Sequence, residues 1–223
     1  MGFAVVNGGD DEVIGGPPPV SNDKEISAVP FEDLQRANVY ALIARSLAGP
    51  MDSETLDFFR SLKGHEASTE LGKSIAALGL LAVKTHKKQS EEEFTELFYG
   101  VGAGGELTPY ASYYLTGLLY DKPLAELRRD MENLGIAPDD DNKEPEDHIA
   151  SLCEIMHGLI LGSFGVSVSL RDQKNFFLKH INPWASHFFN DLEGAKAATL
   201  YMPIGSIGKI FMKIEREGFE MAA

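Results

Sequence analysis

The sequence predicts an all-α protein, a helical bundle of about nine to eleven helices joined by short connections. Two observations predict it. Apolar residues recur at three-and-four spacing in one segment after another, and no stretch alternates with the period of a strand. Glycine and proline punctuate the chain between these segments, where helices stop and start.

Residues 1–26 hold Gly8-Gly9, Gly15-Gly16 and Pro17-Pro18-Pro19 with few large apolar groups. Burial cannot offset the entropy of ordering such a segment, so it is expected as a flexible tail before a single helical domain over 27–223. A first helix opens near Pro30 and runs to Ala48, carrying Leu34, Ala37 and Leu42, and Gly49-Pro50 stops it. Asp52 or Ser53 caps a short second helix that buries Leu56, Phe59 and Leu62. A third covers 68–87, and its middle (Ile75, Leu78, Leu80, Leu81, Val83) is apolar nearly all round, which places it centrally. Ser90-Glu91-Glu92-Glu93 reads as a capping box opening a helix with Phe94, Leu97 and Phe98 on one side.

A glycine-rich loop over 100–105 leads to Pro109-Tyr110-Ala111-Ser112-Tyr113-Tyr114. No Gly-Lys-Ser/Thr follows the glycines, which excludes a phosphate-binding loop of that type. Pro123 opens a helix to Leu134 with Leu124, Leu127 and Met131 inward. An acidic linker over 138–143 then divides an N-terminal part, 27–137, from a C-terminal part, 144–223. Beyond it come a helix through Phe176, Phe177 and His180, one started by Asn182-Pro183-Trp184, and a last one broken or kinked at Pro203. A linker between two helical halves also permits their exchange between chains, so a homodimer stands among the expectations.

Acidic residues number 34 against 20 basic ones, a net charge of −14. Such a surface disfavours nucleic acid and anionic lipid, whose binding rests on Lys and Arg, and favours a basic partner segment. The single cysteine, Cys153, excludes an intramolecular disulfide and fits a reducing compartment. Asp10, Asp11 and Glu12 sit where a signal peptide needs positive charge. The most apolar runs, 75–83 and 158–168, are too short to span a bilayer. The expectation is a soluble cytoplasmic protein with no stable membrane insertion.

The stretch Glu144-Pro145-Glu146-Asp147-His148 reads as the start of a buried helix. Pro145 suits a first helical turn, and Glu146 and Asp147 complement the helix dipole. Ile149, Leu152, Cys153, Met156, Leu159 and Ile160 then recur on one apolar face, with Glu154 on another and His148 on the flank. An acid and an imidazole at a helix mouth beside an apolar wall make a docking point.

This Glu-Pro-x-Asp-His block, followed by Glu154-x-Met156, resembles the signature of the TorD/DmsD/NarJ family of redox-enzyme maturation chaperones. The Leu97-Phe98 helix, the glycine loop and the Pro109-Tyr110-x-Ser112-x-Tyr114 run resemble the family in the same order, although the loop lacks a Gly-Pro pair common there. The His180-x-x-Pro183-Trp184 pattern with Phe188-Phe189 is also similar, so the resemblance spans roughly 31–211. It implies an all-helical cytoplasmic chaperone without catalytic turnover or a cofactor of its own. Its partner would be the catalytic subunit of a molybdenum-dependent oxidoreductase, held at a twin-arginine leader until the cofactor is loaded. The client site so implied comprises Glu144, Pro145, Asp147, His148 and Glu154 with Pro109, Tyr110, Phe94 and Leu97. Carboxylates would answer the leader's guanidinium groups and the aromatics its apolar stretch.

A helical enzyme is the competing reading. His148, Cys153, Glu154 and His157 share one helix, with Cys153 and His157 at i,i+4, and His180 and His187 would have to complete a metal site. Asp147 and His148 invite an acid–base pair, yet adjacent helical residues splay apart and no Ser or Cys nucleophile motif accompanies them.

Overall fold

In the computed structural model, residues 3–5, 29–64, 67–100, 104–138, 144–165 and 168–222 are described. Among them ten α-helices form the bundle. Helix α1 (Phe31–Leu47) takes Pro30 as its N-cap and carries Glu32 and Asp33 in the first turn, where the dipole favours them. Its buried face runs Ala37, Tyr40, Ile43 and Leu47, whereas Leu34 is exposed. Helix α2 (Ser53–Ser61) starts where Asp52 accepts from Thr55 N–H, and α3 (Glu70–Lys84) where Thr69 accepts from Gly72 N–H.

Helix α3 corrects one expectation. Ile75 and Leu78 are buried, but Leu80 and Val83 are exposed, so it lies at the side of the bundle rather than its centre. It packs against α2 and α10, and a helix covered on one side leaves its other apolar residues to water.

Helix α4 (Lys87–Phe94) corrects another, because the capping box at Ser90 does not form. The helix begins earlier, with His86 N–H donating to Gln89 Oε1, and Ser90 lies inside it with its hydroxyl on the Lys87 carbonyl. Glu93 is then free to act across the fold: it accepts from the N–H groups of Thr199, Leu200 and Tyr201 at 2.7–3.1 Å. Beyond Phe94 the chain winds into one wider π turn, Thr95–Tyr99, which turns Leu97 inward and leaves Tyr99 outside.

Helices α5 (Ala111–Thr116) and α6 (Lys122–Asn133) follow, the latter capped by Asp121 with Leu124, Leu127 and Met131 buried as its periodicity requires. Strand β2 (Ile136–Pro138) pairs antiparallel with β1 (Phe3–Val5), placing Phe3 opposite Pro138 and Val5 opposite Ile136. Among the described residues this three-residue ribbon departs from an all-helical chain, and its first strand falls in the segment expected as a tail. The rest of that expected tail, up to residue 26, and linker residues 139–143 lie outside the described residues.

Helix α7 (Ile149–Leu161) is the axis of the core, with most of its residues buried and α1 laid along it. Helix α8 (Leu170–Phe176) passes through a second π turn, Phe177–Ile181, before α9 (Ala185–Gly194). Helix α10 (Met202–Met221) runs unbroken, because Pro203 sits in its first turn, where a missing N–H costs nothing. The expected break there does not occur. Gly205 and Gly208 instead let α10 approach α9: a Cβ on Gly208 would stand 2.2 Å from the Phe189 ring. The apolar core is one cluster to which both the N-terminal and C-terminal helices contribute.

Candidate functional site

Two motifs far apart in sequence are joined by their backbones. Ile149 N–H donates to the Pro109 carbonyl at 2.9 Å and Ala111 N–H to the Asp147 carbonyl at 3.0 Å, an antiparallel bridge centred on Tyr110 and His148. The bridge holds His148 extended, so α7 begins at Ile149 and not at Pro145 as its sequence suggests. Pro145 instead offers its carbonyl to His148 N–H in a turn.

His148 therefore becomes the N-cap. Its Nδ1 accepts from Ala150 N–H at 3.1 Å, which places the proton of the neutral ring on Nε2. The ring is almost wholly buried, and burial pushes its pKa from 6.5 down to about 4, so it stays uncharged at neutral pH. It meets the Tyr110 ring edge-on, centroids 5.0 Å apart.

Asp147 is turned into the fold. It is 1% exposed, and its Oδ2 accepts from Ser112 N–H at 2.8 Å, closing the start of α5 across 35 residues of sequence. Glu146 is likewise buried and paired with Arg128 of α6 at 2.9 Å. The acid of this motif that reaches a cleft is Glu144. Tyr110 donates its hydroxyl to Glu144 Oε2 at 2.6 Å; burial first, and this carboxylate second, raise the phenol's pKa.

The cleft is walled by Leu47, Ala48, Phe94, Phe98, Tyr99 and Pro109, with Tyr110, Glu144 and His148 completing it. Its volume is about 40 Å³, far below the roughly 300 Å³ of a small-molecule pocket. That is room for a head group. Phe94 touches the cleft but is 3% exposed, packed on Phe98 at 4.8 Å and on Tyr201 at 5.9 Å. Leu97 is wholly buried and does not line it. Glu154 lies further along α7, half-buried and away from the cleft, its pKa raised by burial. Leu47, Ala48 and Tyr99 were not legible as site residues, since no local signal says that the ends of α1 and of the π turn meet here.

The pairs on which an enzyme would depend are differently engaged. Asp147 turns to Ser112 and His148 to Ala150. Cys153 is buried, and burial pushes its thiol pKa up, away from the reactive thiolate. His157 Nδ1 meets the Ala37 carbonyl at 2.9 Å, and His180 Nε2 meets Asp130 at 2.7 Å. Among the described residues no three His, Cys, Asp or Glu side chains converge as a metal set, and no helix is long and apolar enough to cross a membrane.

Comparison with known proteins agrees with this architecture. Residues 65–190 match the family model of the nitrate reductase delta subunit. A chaperone protein TorD from Vibrio atlanticus is 27% identical over 202 residues, covering 82% of this chain and 94% of that protein. The one from Photobacterium profundum is 33% identical over 140 residues, 57% of this chain and 64% of that one. A crystal structure from Archaeoglobus fulgidus, described as that of a redox enzyme maturation protein, superposes with a TM-score of 0.53 at 18% identity, over 80% of this chain and 94% of that one. That likeness carries the fold.

Proposed function

We propose, from the premise that this chain belongs to the nitrate reductase delta subunit family and its TorD-like redox-enzyme maturation chaperones, that it holds the twin-arginine leader of a molybdenum-dependent oxidoreductase in the cytoplasm while that subunit receives its cofactor. One observation carries the reading furthest: the Glu144 carboxylate, hydrogen-bonded by Tyr110, lines a narrow cleft with apolar walls. A guanidinium is planar and of head-group size, and it pairs with a carboxylate through charge-assisted bonds. The net charge of −14 draws a basic segment toward the chain from a distance.

Roles within the motif divide accordingly. Glu144 supplies the charge, and Tyr110 and His148 give ring contact. Asp147, with Pro145 and Pro109, positions them from beneath by fixing the bridge and the start of α5. Residues 27–223 act as one chaperone domain, since α1 and α3 of its first part pack on α7 and α10 of its second. Calorimetric titration with leader peptides of candidate client subunits tests the reading. Glu144→Gln should weaken a bound leader about tenfold, and added salt should weaken the wild-type complex more than the variant's. A leader that the wild type binds and the variant binds equally well would remove Glu144 from the site.

A further inference from the structure

Of the apolar residues expected to meet a leader, Phe94 and Leu97 are buried and offer little surface. Exposed apolar surface lies after α5. Tyr113, Leu115, Leu118, Leu119 and Tyr120 are 45%, 44%, 63%, 44% and 73% exposed, five large apolar side chains within one short stretch. Single exposed apolar residues are ordinary; a contiguous group of them marks an interaction surface.

This stretch is held in place rather than left loose. Helix α5 ends at Gly117, whose φ of +80° lets its N–H reach back to the Tyr113 carbonyl. Thr116 Oγ1 accepts from Leu118 N–H at 3.3 Å, and Asp121 caps α6 immediately beyond. Between these fixed points Tyr120 has φ +58°, the only positive value outside glycine among the described residues. A tyrosine in the left-handed region is strained. Its ring is largely in water, so packing within this chain does little to offset the strain.

The stretch also adjoins the cleft. Tyr110 is the N-cap of α5, and six helical residues span about 9 Å, so residues 117–120 lie one short helix from Glu144's partner. The Tyr120 and Tyr99 hydroxyls are near enough to that of Tyr110 to act on it electrostatically. Because the cleft admits only a head group, the rest of any segment anchored there must run over the adjoining surface.

We propose that Leu118, Leu119 and Tyr120 form a platform for the aliphatic stretch of the same client segment whose arginine enters the cleft at Glu144. The proposal rests on the leader-binding reading above. The occupant is an extended segment with a basic end and an apolar run, because an acidic anchor and an apolar platform adjoin on one surface. Tyr120 keeps its strained backbone because that conformation presents its ring and the leucines together.

The test uses the full chain and two synthetic peptides, each with an Arg-Arg pair, one followed by a leucine-rich run and the other by serines at those positions. Titrations compare the wild type with Leu118→Ser/Leu119→Ser, Tyr120→Gly and Glu144→Gln. The wild type should bind the leucine peptide more tightly, the double variant should lose about tenfold or more of that affinity, and its weak binding of the serine peptide should be unchanged. Tyr120→Gly should melt at higher temperature than the wild type yet bind the leucine peptide less well, because glycine relieves the strain and removes the ring. Glu144→Gln should weaken both peptides by similar factors. If Glu144→Gln weakens the leucine peptide and the double variant does not, the platform is wrong while the leader reading stands. If the wild type binds neither peptide, or no variant alters binding, the leader reading fails and takes the platform with it. If light scattering shows a wild-type dimer that the double substitution dissociates without altering peptide affinity, the surface joins two copies of this chain and the proposal is overturned.

Discussion

Two places in this molecule use one device with different surroundings. At the cleft, Asp147 reaches across 35 residues to one amide, Ser112 N–H, at the start of α5, and is wholly shielded. At the entry to α10, Glu93 takes the amides of Thr199, Leu200 and Tyr201. Glu106 takes those of Lys196 and Ala197, bonds that hold its own pKa below the usual carboxylate range. Those carboxylates lie nearer the surface than Asp147: they meet the amides of residues 196 and 199 in exposed surroundings and those of 200 and 201 in part-buried ones. In both places an acid from a distant segment takes backbone amides at the approach to a helix: Ser112 lies in the first turn of α5, and residues 196–201 form the segment that leads into α10. The difference teaches that burial, more than the number of bonds, sets what such a clasp is worth. An amide that loses its partner at the rim turns to water, and one that loses it in the interior does not.

The largest effect should come from the neighbour of the buried clasp. The folded pKa of His148, about 4, lies below its ordinary 6.5, so the unfolded chain takes up the proton first. Its contribution is complete above about pH 6.5 and is lost as pH falls toward 4, some 3 kcal/mol in full. His148→Asn keeps a side-chain acceptor at the N-cap and removes the titration. Urea unfolding at pH 7 and pH 4 should show the wild type losing more stability than this variant; equal losses would mean that the ring is not held neutral by burial.

Next in size, Asp147→Ala strands the buried Ser112 amide and should cost about 2 kcal/mol, with α5 loosened. Glu93→Ala removes three bonds, one exposed and two part-buried, and should nonetheless cost less, about 1 kcal/mol. Chemical denaturation of the pair decides between burial and bond count, because bond count alone gives the reverse order. Smallest is Tyr110→Phe, which removes only the half-buried hydroxyl on Glu144 and should change stability by about 0.5 kcal/mol. It should weaken leader binding by more than it weakens the fold, since Glu144 loses the bond that orients it. A larger loss of stability than of affinity would assign Tyr110 to the scaffold.

Local signals along the chain determined most of the helices, because caps, breakers and apolar periodicity act within a turn or two of where they stand. Asp52 caps α2 and Pro123 lies in the first turn of α6, as their neighbours in sequence require. The motifs at 109–114 and 144–148 were legible as belonging to one family's site, and the structure brings them together through the bridge between Tyr110 and His148. What only the tertiary structure decided is which side chains within them face outward. Asp147 and Glu144 have the same charge and sit in one short motif, yet one is sealed beneath α5 and the other opens on the cleft. Ser90 and Glu93 have the spacing of a capping box, but Glu93 is bound by a loop 106 residues away. Leu97 has the pattern of a groove residue and is core, while the leucines at 118 and 119 stand in water. The physical reason is the same in each case. Helix formation is governed by neighbours within about four residues, whereas exposure and hydrogen-bond partners are set by elements that meet only when the chain has folded.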